Sequence, residues 1–148
     1  MDDLTYKQLI DENDIEITKL ATIYQLPEVS QYISISDNYF CYVANTNNVF
    51  FYKVYYKDSL IGAIHLEIHM ELLYMDILIF PQFQRKGFAT RVIEDIQRDI
   101  FKLDYKRIEI SIDESNCASL RLFENAGFFR ISREDELINL AYQRRTDC

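Results

Sequence analysis

The sequence predicts a mixed α/β fold, in which a central, mostly antiparallel sheet of about seven strands is flanked by about four helices. Apolar residues recur with the helical period in some segments and with a period of two in others. These segments follow one another in the order β, α, α, β, β, β, α, β, α, β, β. This order predicts a mixed sheet with helices on its faces, because a doubly wound fold requires strict alternation of strands and helices.

The first third of the chain contains one strand and at least two helical segments. Leu4–Ile10 is predicted as a strand, and Pro27 begins a short helical segment that runs to Ile33. Residues 34–48 are polar and ambiguous, although a short helix is possible near their centre. An apolar stripe with helical spacing lies before Pro27 and consists of Ile17, Leu20, Ala21 and Tyr24.

The middle of the chain predicts three consecutive strands. Val49–Tyr56 is rich in aromatic and β-branched residues, and a turn at 57–59 joins it to a second run, Leu60–Met70, as a β-hairpin. Leu72–Phe80 is largely apolar on both faces, which is typical of a central strand. Pro81 ends this third strand.

The last third predicts two helices and three strands. Residues 87–103 carry one apolar stripe and form the clearest helix, and Arg107–Asp113 alternates as a strand does. Asn116 is a good N-cap for a helix that ends at Gly127. Two closing strands are predicted at Phe128–Ile131 and Glu136–Tyr142.

Length and composition exclude several classes of protein. A chain of 148 residues predicts a single domain, residues 1–148, and a net charge of −8 argues against a nucleic-acid partner. Three glycines cannot supply either the dinucleotide-binding or the nucleoside-triphosphate phosphate loop. No apolar stretch approaches the length of a membrane span. The acidic N-terminus and three cysteines, Cys41, Cys117 and Cys148, favour reduced thiols in the cytoplasm.

The segment Gln84–Ala89 follows the central strand and opens the clearest helix. The free N–H groups at a helix N-terminus bind anions, and Gly87 and Ala89 leave the backbone accessible to a bulky phosphate. Arg85 and Lys86 add positive charge in an acidic protein. The alternative interpretation is that Gly87 only makes a tight turn and that both basic side chains are solvated.

Two sequence blocks carry a resemblance to a known family. The first block is Ile79-x-Pro81-x-x-Gln84-x-x-Gly87-x-Ala89, and the second is Asn116-x-x-Ser119-x-x-Leu122-Phe123-Glu124-x-x-Gly127-Phe128. Together with the order of elements, they resemble the coenzyme A-binding signature and a later segment of the GNAT superfamily of N-acetyltransferases. The resemblance covers essentially the whole chain after residue 4.

The resemblance implies an enzyme that transfers an acetyl group directly from acetyl-CoA to a primary amine in a ternary complex. The amine is expected on a small molecule or a peptide, and a homodimer is possible. The alternatives are a non-catalytic acyl-CoA sensor and an interaction domain. The implied cofactor contacts are the backbone of Ile77, Leu78 and Ile79 with the pantetheine arm, the amides of Arg85, Lys86, Gly87, Phe88, Ala89 and Thr90 with the pyrophosphate, and Asn116 and Phe123 near the pantetheine.

Two departures from the family pattern affect the catalytic groups. Phe123 stands where the family usually has a tyrosine general acid, and Ser111 stands where one branch has a glutamate base. A base must then come from another residue. Asp76, a carboxylate in an apolar strand, is the first candidate and Glu67 is the second, although either is also explained as an ordinary polar strand residue. Glu109 and Asp113 follow as third candidates.

Two polar sets are expected near the acceptor. His65, Glu67 and His69 share one face of a strand, which is explained better by a polar face or an acceptor pocket than by a metal site, so no metal is predicted. In the resembling family the segment after the first helices borders the acceptor. Aromatic side chains that are candidates for a cation–π contact with an amine there are Tyr32, Tyr39 and Tyr42.

Overall fold

The computed structural model describes residues 3–145 and contains a seven-stranded sheet with helices on both faces. Cys148 therefore lies outside the described residues. The strands are β1 Leu4–Gln8, β2 Val49–Tyr56, β3 Ser59–His69, β4 Leu72–Ile79, β5 Arg107–Asp113, β6 Phe129–Glu134 and β7 Leu137–Gln143. The helices are α1 Ile17–Tyr24, α2 Pro27–Ser30, α3 Tyr39–Asn45, α4 Phe88–Gln97 and α5 Cys117–Asn125, and a 3₁₀ turn spans Pro81–Phe83.

The sheet has the strand order β1-β2-β3-β4-β5-β7-β6. Every neighbouring pair is antiparallel except β4 and β5, which are parallel. The prediction of a mixed, mostly antiparallel sheet with a central fourth strand is confirmed. The β2–β3 hairpin is confirmed as well, and β2 and β5 have the predicted bounds.

The two faces of the sheet bury separate apolar cores. Helices α4 and α5 cover one face, where Ile93 and Leu120 pack with residues such as Leu73 and Met75. Helices α1, α2 and α3 cover the opposite face, where they pack on residues such as Leu78. Because side chains alternate along β4, Asp76 lies on the same face as Leu78 and therefore faces the first three helices.

Helix α4 ends six residues earlier than the predicted helix over 87–103. The backbone turns after Gln97, since Asp99 and Lys102 both have positive φ angles, 62° and 55°. The apolar stripe continues to Leu103 because Phe101 and Leu103 pack against the core from an irregular segment rather than from a helix. An apolar pattern alone cannot distinguish these two cases.

Several further features differ from the sequence prediction, among them the end of β6, which lies at Glu134 rather than Ile131. Strand β1 ends at Gln8, and Ile10 is exposed. Helix α2 ends at Ser30, because the chain leaves the helical conformation before Ile33. The ambiguous segment contains α3, which raises the number of α-helices in residues 3–145 to five. None of these helices is long and apolar enough to cross a membrane.

Strands β3 and β4 approach each other closely at Gly62. A Cβ atom at this position would lie 2.2 Å from the main-chain oxygen of Leu78 and 3.2 Å from the Cα of Ile79. Both atoms belong to the backbone of a central strand and cannot move aside cheaply. Gly62 therefore fixes the position of the second half of β4.

We expect Gly62→Ala to destabilise the protein by about 1–3 kcal/mol, the usual cost of overpacking a buried site. Urea denaturation measures this loss as a lower transition midpoint. Ser59→Ala, at the exposed start of the same strand, is the matched control and should leave the midpoint unchanged. Equal midpoints for both variants would contradict the close approach at Gly62.

Candidate active site

Strands β4 and β5 separate after a short paired region. Their parallel pairing runs only from Leu72 opposite Arg107 to Tyr74 opposite Glu109, although both strands continue for several residues. A cavity of about 180 Å³ lies in the resulting gap. Its lining includes the end of β4, the end of β5 and the start of α5, with Gln84, Asn116 and Ser119.

The backbone of β4 presents alternate residues to this gap. The Leu78 carbonyl points toward β3, because its oxygen lies beside Gly62, and the Phe80 amide also donates to β3, to the Ile61 carbonyl at 2.8 Å. Peptide groups alternate in direction along a strand, so those of Ile77 and Ile79 face the gap. The sequence predicted that the backbone of Ile77, Leu78 and Ile79 would all contact the pantetheine arm. The Leu78 backbone instead faces β3 and is turned away from the gap. The Ile79 carbonyl accepts a hydrogen bond from Gln84 Nε2 at 2.9 Å.

The loop before α4 begins at Gln84, which lines the gap, and carries backbone amides without recorded acceptors among residues 3–145. Arg85 and Gly87 both have positive φ angles, 62° and 85°, and the helix begins directly after Gly87 with no side chain capping it. The first amides of a helix have no partner within the helix. Among residues 3–145, no acceptor is recorded for the amides of Arg85, Lys86 and Gly87 either. This arrangement is a donor-rich, electropositive terminus suited to an anion.

Of the other residues predicted to contact the cofactor, Asn116 lines the gap, whereas the side chains of Phe88 and Phe123 are buried. Asn116 is the N-cap of α5, as predicted, and its side chain accepts a hydrogen bond from the Ser119 amide at 3.3 Å while also lining the gap. The Phe88 and Phe123 rings are both buried in the core, Phe123 against Phe128 with ring centroids 5.2 Å apart. Neither ring lines the gap, and of the loop and the start of α4 only Gln84 is among the lining residues.

A second, larger cavity of about 570 Å³ lies on the α1–α3 face beside the gap. Among residues 3–145, no lysine or arginine lines this cavity, and His65 is the basic side chain that borders it. The cavity is strongly acidic and suits a cation. Its carboxylates are Glu67, Asp76, Glu109 and Glu134.

Asp76 lines both cavities and marks their junction. Asp76 is an exposed residue whose side chain opens into the cavity, where nearby residues still displace part of its water. Desolvation by these surroundings raises the pKa of Asp76, and the nearby negative charge of Glu67 raises it further, while His65 opposes the change. The first candidate base is therefore placed at the junction with a proton affinity above that of an ordinary aspartate.

Glu67, the second candidate base, has the opposite properties. Its carboxylate accepts hydrogen bonds from His69 Nε2 at 2.7 Å, His65 Nε2 at 3.0 Å and the Tyr42 hydroxyl at 2.8 Å. Desolvation alone would raise the pKa of Glu67, but these three donors outweigh it and lower the pKa. Glu67 is thus a weaker proton acceptor than Asp76.

The third candidates are engaged with neighbours. Glu109 lies 3.2 Å from the guanidinium of Arg107, and Asp113 accepts hydrogen bonds from the Ser115 amide and hydroxyl at 2.9 and 2.7 Å. Ser111 lines both cavities and donates to Asn139 Oδ1 at 2.6 Å. These contacts leave Asp76 as the least constrained carboxylate at the junction.

The aromatic and histidine residues form a connected chain that the sequence does not predict. The Tyr39 hydroxyl lies 2.6 Å from His65 Nδ1, and the His65 ring reaches Glu67 with its other nitrogen. The strand alternation did indicate that His65, Glu67 and His69 share a face. The link to Tyr39 joins residues 26 positions apart, and no local pattern specifies it. Within residues 3–145, no three His, Cys, Asp or Glu residues are grouped to hold a metal ion.

The sequence profile of the Acetyltransferase (GNAT) family matches residues 15–128. This match spans more than half of the chain, which therefore belongs to the GNAT acetyltransferase family. A search of curated protein sequences finds no match.

Solved structures of N-acetyltransferases share the fold. Spermidine N-acetyltransferase from Vibrio cholerae, in complex with CoA and spermine, has a TM-score of 0.80 and 18% identity over 95% of each chain. Campylobacter jejuni N-acetyltransferase PseH, in complex with acetyl coenzyme A, has a TM-score of 0.77 and 14% identity over 96% of this chain and 99% of that chain. Aminoglycoside acetyltransferase AAC(6')-Ib, in complex with coenzyme A and kanamycin, has a TM-score of 0.77 and 15% identity over 96% of this chain and 95% of that chain.

We expect Asp76→Asn to stabilise the protein at pH 7. Because the folded state raises the pKa of Asp76, it favours the protonated form, and ionisation at neutral pH costs stability. An asparagine removes this cost, so the thermal midpoint should rise, and the gain should shrink as the pH is lowered toward the folded pKa.

Asp113→Asn is the control, for which the expected change in thermal midpoint has the opposite sign. Hydrogen bonds from Ser115 lower the pKa of Asp113, so its ionised form is favoured in the folded state and the asparagine should lower the midpoint at pH 7. A loss of stability in Asp76→Asn at pH 7 would refute the assignment of a raised pKa.

Proposed function

We propose that this protein transfers an acetyl group from acetyl-CoA to a primary amine of a small cationic molecule. The observation that carries the proposal is the junction at Asp76, where the gap between β4 and β5 opens into the acidic cavity. The gap supplies a path for one substrate and the cavity a site for the other. The two substrates would therefore meet at a carboxylate.

The residues of the gap fit coenzyme A. Uncapped amides at the start of α4 suit a pyrophosphate, and the peptide groups of Ile77 and Ile79 are available to an extended pantetheine arm, which would bind as an added strand. Asn116 lines the same gap and would contact the arm from the opposite side. The V. cholerae, C. jejuni and AAC(6')-Ib structures hold CoA or acetyl-CoA on the same fold.

The acidic cavity supports a cationic acceptor. Amines bind as ammonium ions at neutral pH, and the carboxylates of Glu67, Asp76 and Glu134 attract them. The volume of about 570 Å³ lies in the range typical of small-molecule sites. Structural neighbours hold spermine and kanamycin, both of which carry several amino groups. A peptide amine and a homodimer stay predictions of the sequence.

The reaction requires a base more than it requires an acid. Asp76 takes a proton from the ammonium, and the free amine nitrogen then forms a bond to the acetyl carbonyl carbon as the carbon–sulfur bond breaks. The Ile79 amide faces the gap and is placed to stabilise the negative charge that develops on the carbonyl oxygen. The sulfur leaves with the bonding electron pair and takes the second proton that the nitrogen loses as the amide forms, so coenzyme A departs as a thiol. A thiol pKa of about 8.5 makes it a tolerable leaving group without a tyrosine at position 123.

The direct test of the proposal measures thiol release from acetyl-CoA with a panel of amines: monoamines, diamines, polyamines, aminoglycosides and a lysine peptide. Release with one of the cationic small molecules is expected. Binding of acetyl-CoA without release from any amine would favour the sensor, and the absence of binding would overturn the proposal.

We expect Gly87→Glu to abolish CoA binding in a calorimetric titration. The variant places a carboxylate at the proposed pyrophosphate site and forces a side chain into a backbone with φ of 85°. Gly127→Glu is the matched control, because Gly127 has a similar φ of 95° and lies at the far end of α5. Tight CoA binding by Gly87→Glu would rule out the loop as the phosphate site.

We expect Asp76→Asn to lower kcat by about 100-fold or more, the usual contribution of a general base, without weakening CoA binding. In the parent protein kcat/KM should fall as the pH is lowered through the pKa of Asp76, which lies above its ordinary value. Asp58→Asn, in the exposed β2–β3 turn, is the control. Equal rates for Asp76→Asn and the parent across the pH range would remove Asp76 as the base.

A further inference from the structure

The Glu67 carboxylate has almost exhausted its capacity to accept hydrogen bonds. A carboxylate offers about four acceptor positions. Oε1 accepts from Tyr42 and His65, and Oε2 accepts from His69, so one position on Oε2 is left. Because the carboxylate also lines the acidic cavity, that position is available to a donor in the cavity.

His65 is fixed at both ring nitrogens. Glu67 has a lowered pKa and is ionised, so it can only accept, and His65 Nε2 must carry the hydrogen in their contact. Nδ1 is then the acceptor for the Tyr39 hydroxyl at 2.6 Å in the neutral imidazole. The His65 side chain is 14% exposed, and its ring also stacks near Tyr42. The orientation of the ring is therefore determined by residues from α3 and β3.

Asp76 lies next to this arrangement but outside it. It is opposite His65 in the β3–β4 register, and no residue among 3–145 is recorded as a hydrogen-bond partner of its side chain. Two carboxylates on one cavity wall thus have contrasting surroundings. The titratable groups that face Asp76 are His65 and Glu67 on β3, Tyr24 on α1, Tyr39 on α3 and Glu109 on β5.

We infer that His65 is a positioning residue that holds Glu67 as a permanent anion, so that Glu67 binds the ammonium group of the acceptor and Asp76 takes its proton. This inference rests on the proposed function. Two like charges on one cavity wall would otherwise share a proton, with neither carboxylate assigned to one task. By securing the charge on Glu67, His65 separates the two roles, which is the way enzymes assign different tasks to paired carboxylates.

Two protons leave the ammonium nitrogen during the transfer, one to Asp76 before the attack and one to the departing sulfur as the amide forms. The ammonium donates one hydrogen bond to the remaining position on Glu67 Oε2. Another of its protons moves to Asp76, which becomes neutral, and the nitrogen lone pair is released for attack. Glu67 keeps its charge throughout and holds the amine in place. After transfer, the proton on Asp76 is lost to solvent, which reaches this side chain in the cavity.

The test compares His65→Leu with His65→Gln. Leucine removes the donor to Glu67, whereas glutamine retains an N–H donor of similar reach. We expect His65→Leu to lower kcat/KM by about 10-fold or more, as the loss of a hydrogen bond to a charged group does, and His65→Gln to recover most of it. The acid limb of the kcat/KM profile should move to higher pH in His65→Leu, because the pair of carboxylates then takes up its first proton more readily.

His69→Leu is the matched control. It removes a donor from the same carboxylate, but the His69 side chain is 64% exposed and water replaces its hydrogen bond. The acid limb of the kcat/KM profile should therefore move much less in His69→Leu than in His65→Leu. Tyr39→Phe, which removes the hydroxyl that fixes the His65 ring, should lower kcat/KM by an intermediate amount if His65 acts through its orientation.

A carboxyl titration by nuclear magnetic resonance separates this inference from the proposed function. Titration of the protein without substrates should show the first protonation of the Glu67 and Asp76 pair at higher pH in His65→Leu than in the parent or in His69→Leu. Identical titrations would overturn the inference even in an active enzyme. If the parent releases no thiol with any amine but the titrations differ as expected, the proposed function fails and the role of His65 in setting the charge of Glu67 stands.

Discussion

The separation of β4 from β5 is the constraint on which the candidate site depends. The strands pair for only three positions, from Leu72 to Tyr74 on β4, and then diverge. An unpaired strand edge in the middle of a sheet is costly unless another partner satisfies its peptide groups. The gap leaves the Ile77 backbone and the Ile79 amide without a strand partner on the β5 side, while the Ile79 carbonyl accepts a hydrogen bond from Gln84 in the loop before α4. A single break in the sheet thus creates the exposed strand edge and the entrance to the acidic cavity, next to the loop that is proposed to bind the pyrophosphate.

The acidic cavity contains two carboxylates, Glu67 and Asp76, whose pKa values are shifted in opposite directions. Glu67 is surrounded by donors that favour its ionised form, whereas the side chain of Asp76 has no hydrogen-bond partner among residues 3–145 and experiences desolvation and the charge of Glu67. The difference follows from the position of the side chains rather than from their chemistry. Glu67 points toward α3 and the histidines of its own strand, while Asp76 points toward the place where the sheet opens. A strand that carries a carboxylate next to such an opening acquires a base without any further specialisation.

The sequence predicted the parts of the site that depend on local structure. The Gln84–Ala89 loop, the Asn116 cap and the β2–β3 hairpin each arise from residues close together in the chain, so local sequence patterns were enough to predict them. The predicted end of α4 was wrong because Phe101 and Leu103 continue an apolar stripe after the backbone has left the helix. The chain of contacts through Tyr39 and His65 was missed because it joins α3 to β3, and only the folded arrangement brings those residues together. The contrasting surroundings of Glu67 and Asp76 depend on the same long-range contacts.

The buried Phe123 ring bears on which step of an acetyl transfer needs assistance. The phenyl ring packs against Phe128 in the core and has no hydroxyl that could protonate a leaving group. The site therefore favours a reaction in which the leaving group departs unaided and the difficult step is the deprotonation of the nucleophile. An amine held as an ammonium ion by an acidic cavity is deactivated by the same charges that attract it. In the proposed reaction Asp76, whose pKa is raised, resolves this conflict, because it would accept the proton where the amine meets the thioester.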